Sequence, residues 1–251
     1  MRPILVWLFV FTGALTAPAS PNPLRASLQC VLVVAPNWSS TTGTLHVFER
    51  ASPSTEWKLR GNTVRVVLGK NGLAWGRGVI EPKSDGPRKT EGDNRVPAGI
   101  FRLGPAFGYA PAADARWIKL RYVALTQETE GIDDPKSHYY NQLINRSKIA
   151  RIDWHSSERM RRSDSLYKWG LVVAHNPTST PGAGSCIFLH IWKNSATLTT
   201  GCTAMAEQDL VKLLRWLDPH AHPVLVQMPR GDYAKLQSNY RLPPIPEKPA
   251  R

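Results

Sequence analysis

Two residues of this chain have the types and spacing for acyl transfer. Cys202 sits in the run Thr199-Thr200-Gly201-Cys202-Thr203, twelve positions after His190 in Ile187-Phe188-Leu189-His190-Ile191-Trp192. A thiolate is the attacking form of cysteine, and a nearby imidazole is the usual means of generating it at neutral pH. Gly201 lets the backbone turn tightly beside the sulfur. The N–H groups of Thr200, Gly201 and Cys202 are therefore candidate donors for the oxyanion of a tetrahedral intermediate.

Other residues offer binding chemistry with plainer readings beside it. His175-Asn176 follows an apolar run and is a candidate substrate contact, or simply a turn before Pro177. Arg95 has a fork suited to a carboxylate, or is a surface arginine. Tyr140, beside Tyr139 and Asn141, either walls a cleft or belongs to the core. Asp93 is read as accepting hydrogen bonds from its own loop. His220-Ala221-His222 lacks a third ligand at suitable spacing, so no metal site is expected. No phosphate-cradling glycine motif occurs, and this chemistry requires no cofactor.

The segment from Gly184 to Cys202 resembles the catalytic signature of the L,D-transpeptidases (the YkuD family). There a histidine precedes a Ser/Thr-x-Gly-Cys motif. A second stretch, Lys89-Thr90-Glu91-Gly92-Asp93-Asn94-Arg95-Val96-Pro97-Ala98-Gly99-Ile100-Phe101, is similar to the family's upstream block, with Val96 in place of its threonine. The resemblance spans roughly Gly61 to Met228. It implies Cys202 as nucleophile, His190 as proton donor and acceptor, and the Ile191 carbonyl as the group orienting the imidazole. It also implies a YkuD-like β-sandwich or barrel and a peptidoglycan tetrapeptide stem as substrate. The same site with water as acceptor would make a cysteine hydrolase: a carboxypeptidase, endopeptidase or amidase. A non-catalytic envelope-binding domain is the alternative of another class.

The elements that must position these residues are short. Leu28 to Ala35, Thr44 to Arg50, Trp57 to Arg60, Val64 to Gly69, Ile100 to Leu103, Trp117 to Leu120, Val123 to Leu125, Gly170 to Ala174, Cys186 to Trp192 and Val224 to Val226 read as strands. Pro105 to Ala115 and Gly131 to Tyr140 read as loops, and Glu158 to Tyr167 as a short helix. Leu210, Leu213, Leu214 and Leu217 mark one apolar helical face after Cys202, and Pro219 ends it. A helix starting near Ala204 would put its positive end by the thiol and favour thiolate. The fold class is mainly β with a few helices, one of them following the catalytic cysteine.

Three cysteines leave either one bridge and a free thiol or three free thiols. A Cys30–Cys186 bridge would keep Cys202 reactive; otherwise Cys186 is a small buried residue in a strand. Residues 1–19 read as a secretory signal peptide, with an apolar run from Ile4 to Phe11 and a small-residue cleavage site at Ala17-Pro18-Ala19. Residues 20–242 then form a single catalytic domain, and 243–251 a flexible proline-rich tail. The expected location is the periplasm or cell envelope. No other run is apolar enough to span a bilayer. The net charge of +13 suits an anionic envelope. It would suit nucleic acid too, but no recognition motif for one appears. Oligomeric state is not legible.

Overall fold

The computed structural model describes residues 22–80 and 85–246. The expected signal segment, 1–19, and the last five residues lie outside that range. Thirteen strands are present: β1 Gln29–Ala35, β2 Thr42–Glu49, β3 Lys58–Val67, β4 Leu73–Trp75, β5 Val96–Gly108, β6 Tyr122–Ala124, β7 Thr129–Ile132, β8 Leu143–Asn145, β9 Ser157–Arg159, β10 Trp169–Val173, β11 Phe188–Ile191, β12 Thr203–Met205 and β13 Val224–Pro229. Two α-helices, α1 Glu207–Trp216 and α2 Arg230–Tyr240, and three short 3-10 turns, Ala112–Ala115, Arg146–Lys148 and Pro219–Ala221, complete the described elements.

The fold is mainly β. Strand β1 is a run of β-branched and apolar residues buried along its whole length, so it takes a central place. It pairs antiparallel with β2 and parallel with β13. From there the order runs β2, β3, β12, β11, β10 on one side and β13, β5 on the other. Pairing of β5 with β10 joins the two ends, which closes an eight-stranded barrel with no open edge along the ring. Strands β4 and β6 add to β5 outside the ring. A separate sheet has the order β8-β7-β9.

Strand β5 makes closure possible by changing neighbours along its length. Gly99 to Arg102 pair with β13, whereas Leu103 and Ala106 to Gly108 pair with β10. Gly104 and Pro105 fall at the change, where β10 carries a register irregularity between Leu171 and Val173. A bend there costs little because Pro105 has no ladder N–H to lose. Pro105 therefore lies inside a strand, not at the start of the expected loop.

Other expectations are corrected in the same way. The two short strands at Trp57–Arg60 and Val64–Gly69 are one strand, β3, which absorbs Gly61 at φ +63° opposite a bulge between Leu45 and Val47. Residues Trp117 to Leu120 form no strand. Glu158 to Tyr167 is not a helix; it opens in β9 and continues as bends and turns. Helix α2 has no sequence counterpart because its buried face holds few apolar side chains, chiefly Tyr233. The tail begins anchored: Pro243 is buried, and its carbonyl accepts hydrogen bonds from the Tyr233 hydroxyl and from Gln237 Nε2 at 3.2 Å.

The main core gathers β1, β5, β13 and the buried face of α1, with Leu210, Leu213 and Leu214. A smaller cluster joins Phe107, Leu125, Met160, Tyr167, Phe188 and Cys202. Its aromatics meet edge to face, Phe107 with Phe188 at 5.1 Å and with Tyr167 at 5.7 Å. Gly170 is what lets Phe107 enter. A Cβ at Gly170 would lie 2.2 Å from Phe107 Cζ. With that ring enclosed, Gly170→Ala should cost about 1–3 kcal/mol through overpacking. Thermal unfolding followed by circular dichroism should fall by roughly 2–4 °C per kcal/mol. An unchanged melting temperature would show that the ring has room to move.

Candidate active site

Strands β11 and β12 lie side by side and parallel, with Leu189 opposite Thr203, His190 opposite Ala204 and Ile191 opposite Met205. One step back, the same register sets Cys202 opposite Phe188, and the Phe188 N–H donates to Cys202 Sγ at 3.3 Å. Side chains alternate between faces along a strand. Leu189, Ile191 and Met205 accordingly enter the main core. Phe188, His190 and Cys202 share the opposite face. His190 and Cys202 are thus diagonal neighbours, one strand across and two residues along, with Cα atoms about 8 Å apart by strand geometry. Both line one cavity of about 440 Å³, together with Lys89, Glu91, Glu158, Arg162 and Tyr167.

The imidazole is oriented by its own strand. His190 Nδ1 lies 2.7 Å from the Ile191 carbonyl oxygen. An Nδ1–H donating there leaves Nε2 as the acceptor, the form a general base needs. The loop leading to Cys202 is pinned to the barrel: Thr199 N–H donates to the Leu68 carbonyl at 3.0 Å, and Lys70 N–H to the Thr199 carbonyl at 2.9 Å. Thr199 Oγ1 donates to the Cys202 carbonyl at 2.5 Å and accepts the Gly201 N–H at 3.3 Å. Gly201 has φ +149°, a conformation that glycine adopts without strain. Its N–H is thereby turned onto Thr199, which leaves the amides of Thr200 and Cys202 as the oxyanion candidates.

Helix α1 does not serve the thiol. It starts at Glu207, with β12 intervening, so its positive end is displaced from Cys202. Burial pushes the Cys202 thiol up to about 12; Glu158 adds to this, whereas the Phe188 N–H and Lys89 oppose it. Burial likewise lowers His190 to about 4, opposed by the Ile191 carbonyl, with Arg162 lowering it further and Asp164 raising it. The unliganded pair is thus a neutral thiol beside a neutral imidazole. Alkylation of Cys202 by iodoacetamide should then rise about tenfold per pH unit through the neutral and alkaline range, following the thiolate fraction. A plateau near neutrality in mass-spectrometric rates would mean that an ion pair already exists.

The other sequence candidates stand behind the cavity instead of lining it. His175 is buried; its Nε2 lies 2.9 Å from the Ala183 carbonyl oxygen, and its Nδ1 accepts the Arg77 N–H at 3.3 Å. Asn176, at φ +50°, donates to the carbonyls of Thr180 and Gly184 at 2.9 and 3.1 Å. Both shape the loop that returns to β11. Arg95 Nη1 donates to the Leu73 carbonyl at 3.0 Å. Tyr140 is buried; its hydroxyl donates to Glu91 Oε2 and accepts the Gly184 N–H at 3.1 Å, so it meets the cavity through its partners, Glu91 among them. Asp93 accepts from the N–H groups of Thr90 and Arg95 at 3.0 and 2.8 Å, and from Lys89 Nζ at 2.5 Å.

Sequence reasoning missed Glu158, Arg162 and Tyr167. They sit in a segment read as a helix, and no motif marks them. Lys89 and Glu91 were visible only as members of a longer block. The three cysteines are free. Cys30 lies in β1 within the main core. Cys186 precedes β11 at φ +52°, with its carbonyl oxygen 3.7 Å from Cys202 Sγ. No helix among the described residues is long and apolar enough to cross a membrane.

No family model and no curated protein matches the chain. Among solved structures, the helical cell shape determining protein Pgp2 from Campylobacter jejuni is similar at a TM-score of 0.36 and 14% identity. That match covers 80% of this chain and 47% of that one.

Proposed function

We propose that the protein is an exported cysteine acyl-transferase of the L,D-transpeptidase type, acting on peptidoglycan tetrapeptide stems. The observation that carries this reading is the diagonal placement of His190 and Cys202 on one face of two parallel strands, above a shared cavity. The bond from His190 Nδ1 to the Ile191 carbonyl adds the tautomer that the chemistry needs.

The steps follow from the neutral pair. Nε2 of His190 takes the proton of the Cys202 thiol as sulfur attacks the amide carbonyl of the third, diamino-acid residue. The oxyanion draws on the amides of Thr200 and Cys202. Collapse breaks the C–N bond, and the imidazolium gives its proton to the departing D-alanine amine, leaving a thioester. An amine from a neighbouring stem then attacks the thioester. The imidazole takes the amine proton, a new amide forms and the thiol is restored. The basic character of the chain suits an anionic envelope.

Incubating the purified protein with defined tetrapeptide muropeptides and reading products by mass spectrometry tests this. Cross-linked dimers support transfer. Shortened monomers alone would assign water as the acceptor, and unchanged muropeptides would favour a binding domain.

A further inference from the structure

We propose that Tyr167 is the positioning residue for His190, clamped in place by Glu158 on β9 and Arg162 from the segment that follows it. The proposal rests on the catalytic reading of His190 given above.

One contact cannot fix an imidazole. The bond from Nδ1 to the Ile191 carbonyl defines one direction but leaves the ring free to rock about it. Tyr167 supplies the second restraint: its ring meets that of His190 edge to face, with centroids 5.3 Å apart at 83°. Tyr167 is itself immobilised on every side. Its ring packs at right angles against Phe107 and Phe188, each at 5.7 Å. Its hydroxyl donates to Glu158 Oε1 at 2.8 Å. Arg162 spans both partners, with Cζ 5.3 Å from the Tyr167 ring centroid and Nη1 3.3 Å from the same Glu158 oxygen. Asp164 holds the far side of that guanidinium at 2.8 Å. The main chain registers the whole assembly on β11, because the Ile191 N–H donates to the Leu166 carbonyl at 3.1 Å. Residues adjacent to Tyr167 and His190 are therefore joined directly.

The clamp also keeps water from the imidazole. The charged groups around His190 are Glu158 on β9, Arg162 and Asp164 from the clamp segment, Lys193 from the loop after β11, and Lys89 and Glu91 across the cavity. Glu207 at the head of α1 pairs with Lys168 at 2.6 Å. From the adjoining strands come Cys202 and, opposite His190 on β10, Gly170, which has no side chain. Arg162 disfavours the imidazolium directly. Loosening the clamp exposes the ring, and losing Arg162 removes that cation. Each change raises the pH at which His190 protonates.

The test uses the full chain and nitrogen NMR of the His190 imidazole, which reads tautomer and titration without requiring turnover. Wild type should show the Nδ1–H tautomer persisting well below the usual histidine range. Tyr167→Leu should give mixed tautomers and an upward-shifted titration. Its kcat on tetrapeptide stems should fall about 10²-fold with KM little changed, the size expected of a misaimed catalytic group. Tyr167→Phe keeps the ring contacts but loses the bond to Glu158, so it should restore the tautomer and the rate in part, to values between those of wild type and Tyr167→Leu. Should the leucine variant fail to fold, Arg162→Gln carries the test, with an upward shift of the same titration expected. A wild-type tautomer and titration in Tyr167→Leu, or in Arg162→Gln, would overturn the proposal. So would a Phe variant as impaired as the Leu variant. If wild type turns over no stems, the transpeptidase reading fails, while the NMR arms still decide the role of Tyr167.

Discussion

Cys202→Ala protein should release no measurable D-alanine from tetrapeptide stems and form no covalent adduct, a loss of about 10⁴-fold or more. Folding should survive, because the change removes one sulfur atom from the edge of a small cluster and leaves β12 intact. Cys202→Ser is the sharper control. Its hydroxyl still accepts the Phe188 N–H, so the local hydrogen bonding persists, but an alcohol ionises far less readily than a thiol. Both variants should be inert, as judged by muropeptide mass spectrometry alongside thermal melting. Full turnover in either would remove Cys202 from the chemistry.

His190→Ala should lower turnover at neutral pH by about 10²–10⁴-fold, the range for losing a positioned general base. The deficit should shrink as pH rises, because hydroxide supplies thiolate that the missing imidazole no longer generates. In wild type, the acid limb should fall near pH 4 instead of the usual histidine range, since burial holds the ring neutral. Below that limb His190 is protonated and cannot take the thiol proton; above it the base is competent. A pH–rate profile for both proteins checks the sign. A pH-independent deficit in His190→Ala would argue that the histidine is only structural.

The sequence revealed those parts of the molecule where one residue type has one physical use. The alternating and β-branched runs around β1, β2, β10, β11 and β13 are half or fully buried, so periodicity and composition mark them. The leucine spacing of α1 does the same. What stayed hidden depends on partners distant along the chain. Residues Glu158 to Tyr167 carry helix-compatible side chains, yet Tyr167 is drawn against Phe107 and His190, and Glu158 against Tyr167. Those contacts outweigh a weak local preference. Likewise Gly61 and Pro105 read as breaks, because the neighbouring strands that accommodate a bulge or a missing N–H cannot be seen from local sequence.

At the site, His190 and Cys202 stood out in the sequence by their motif, and the register of β11 and β12 sets them on one face above a shared cavity. His175, Asn176, Arg95 and Tyr140 looked equally suited to substrate contact, yet their polar atoms meet main-chain groups and Glu91. Nothing in a side chain's type distinguishes a loop brace from a ligand contact. Three-dimensional adjacency alone separates them.

The parallel pairing of β11 with β12 ties the placement of the candidate pair to the hydrophobic interior in a single phase choice. Slipping β12 by one position would swing Cys202 inward among the leucines and present Thr203 to the cavity, leaving a polar group unsatisfied and a sulfur out of reach. An evolving or engineered chain therefore cannot shift the reactive centre gradually along these ribbons. It can lengthen the crossover from Lys193 to Leu198, but inserting one residue inside either ribbon would damage folding and chemistry together.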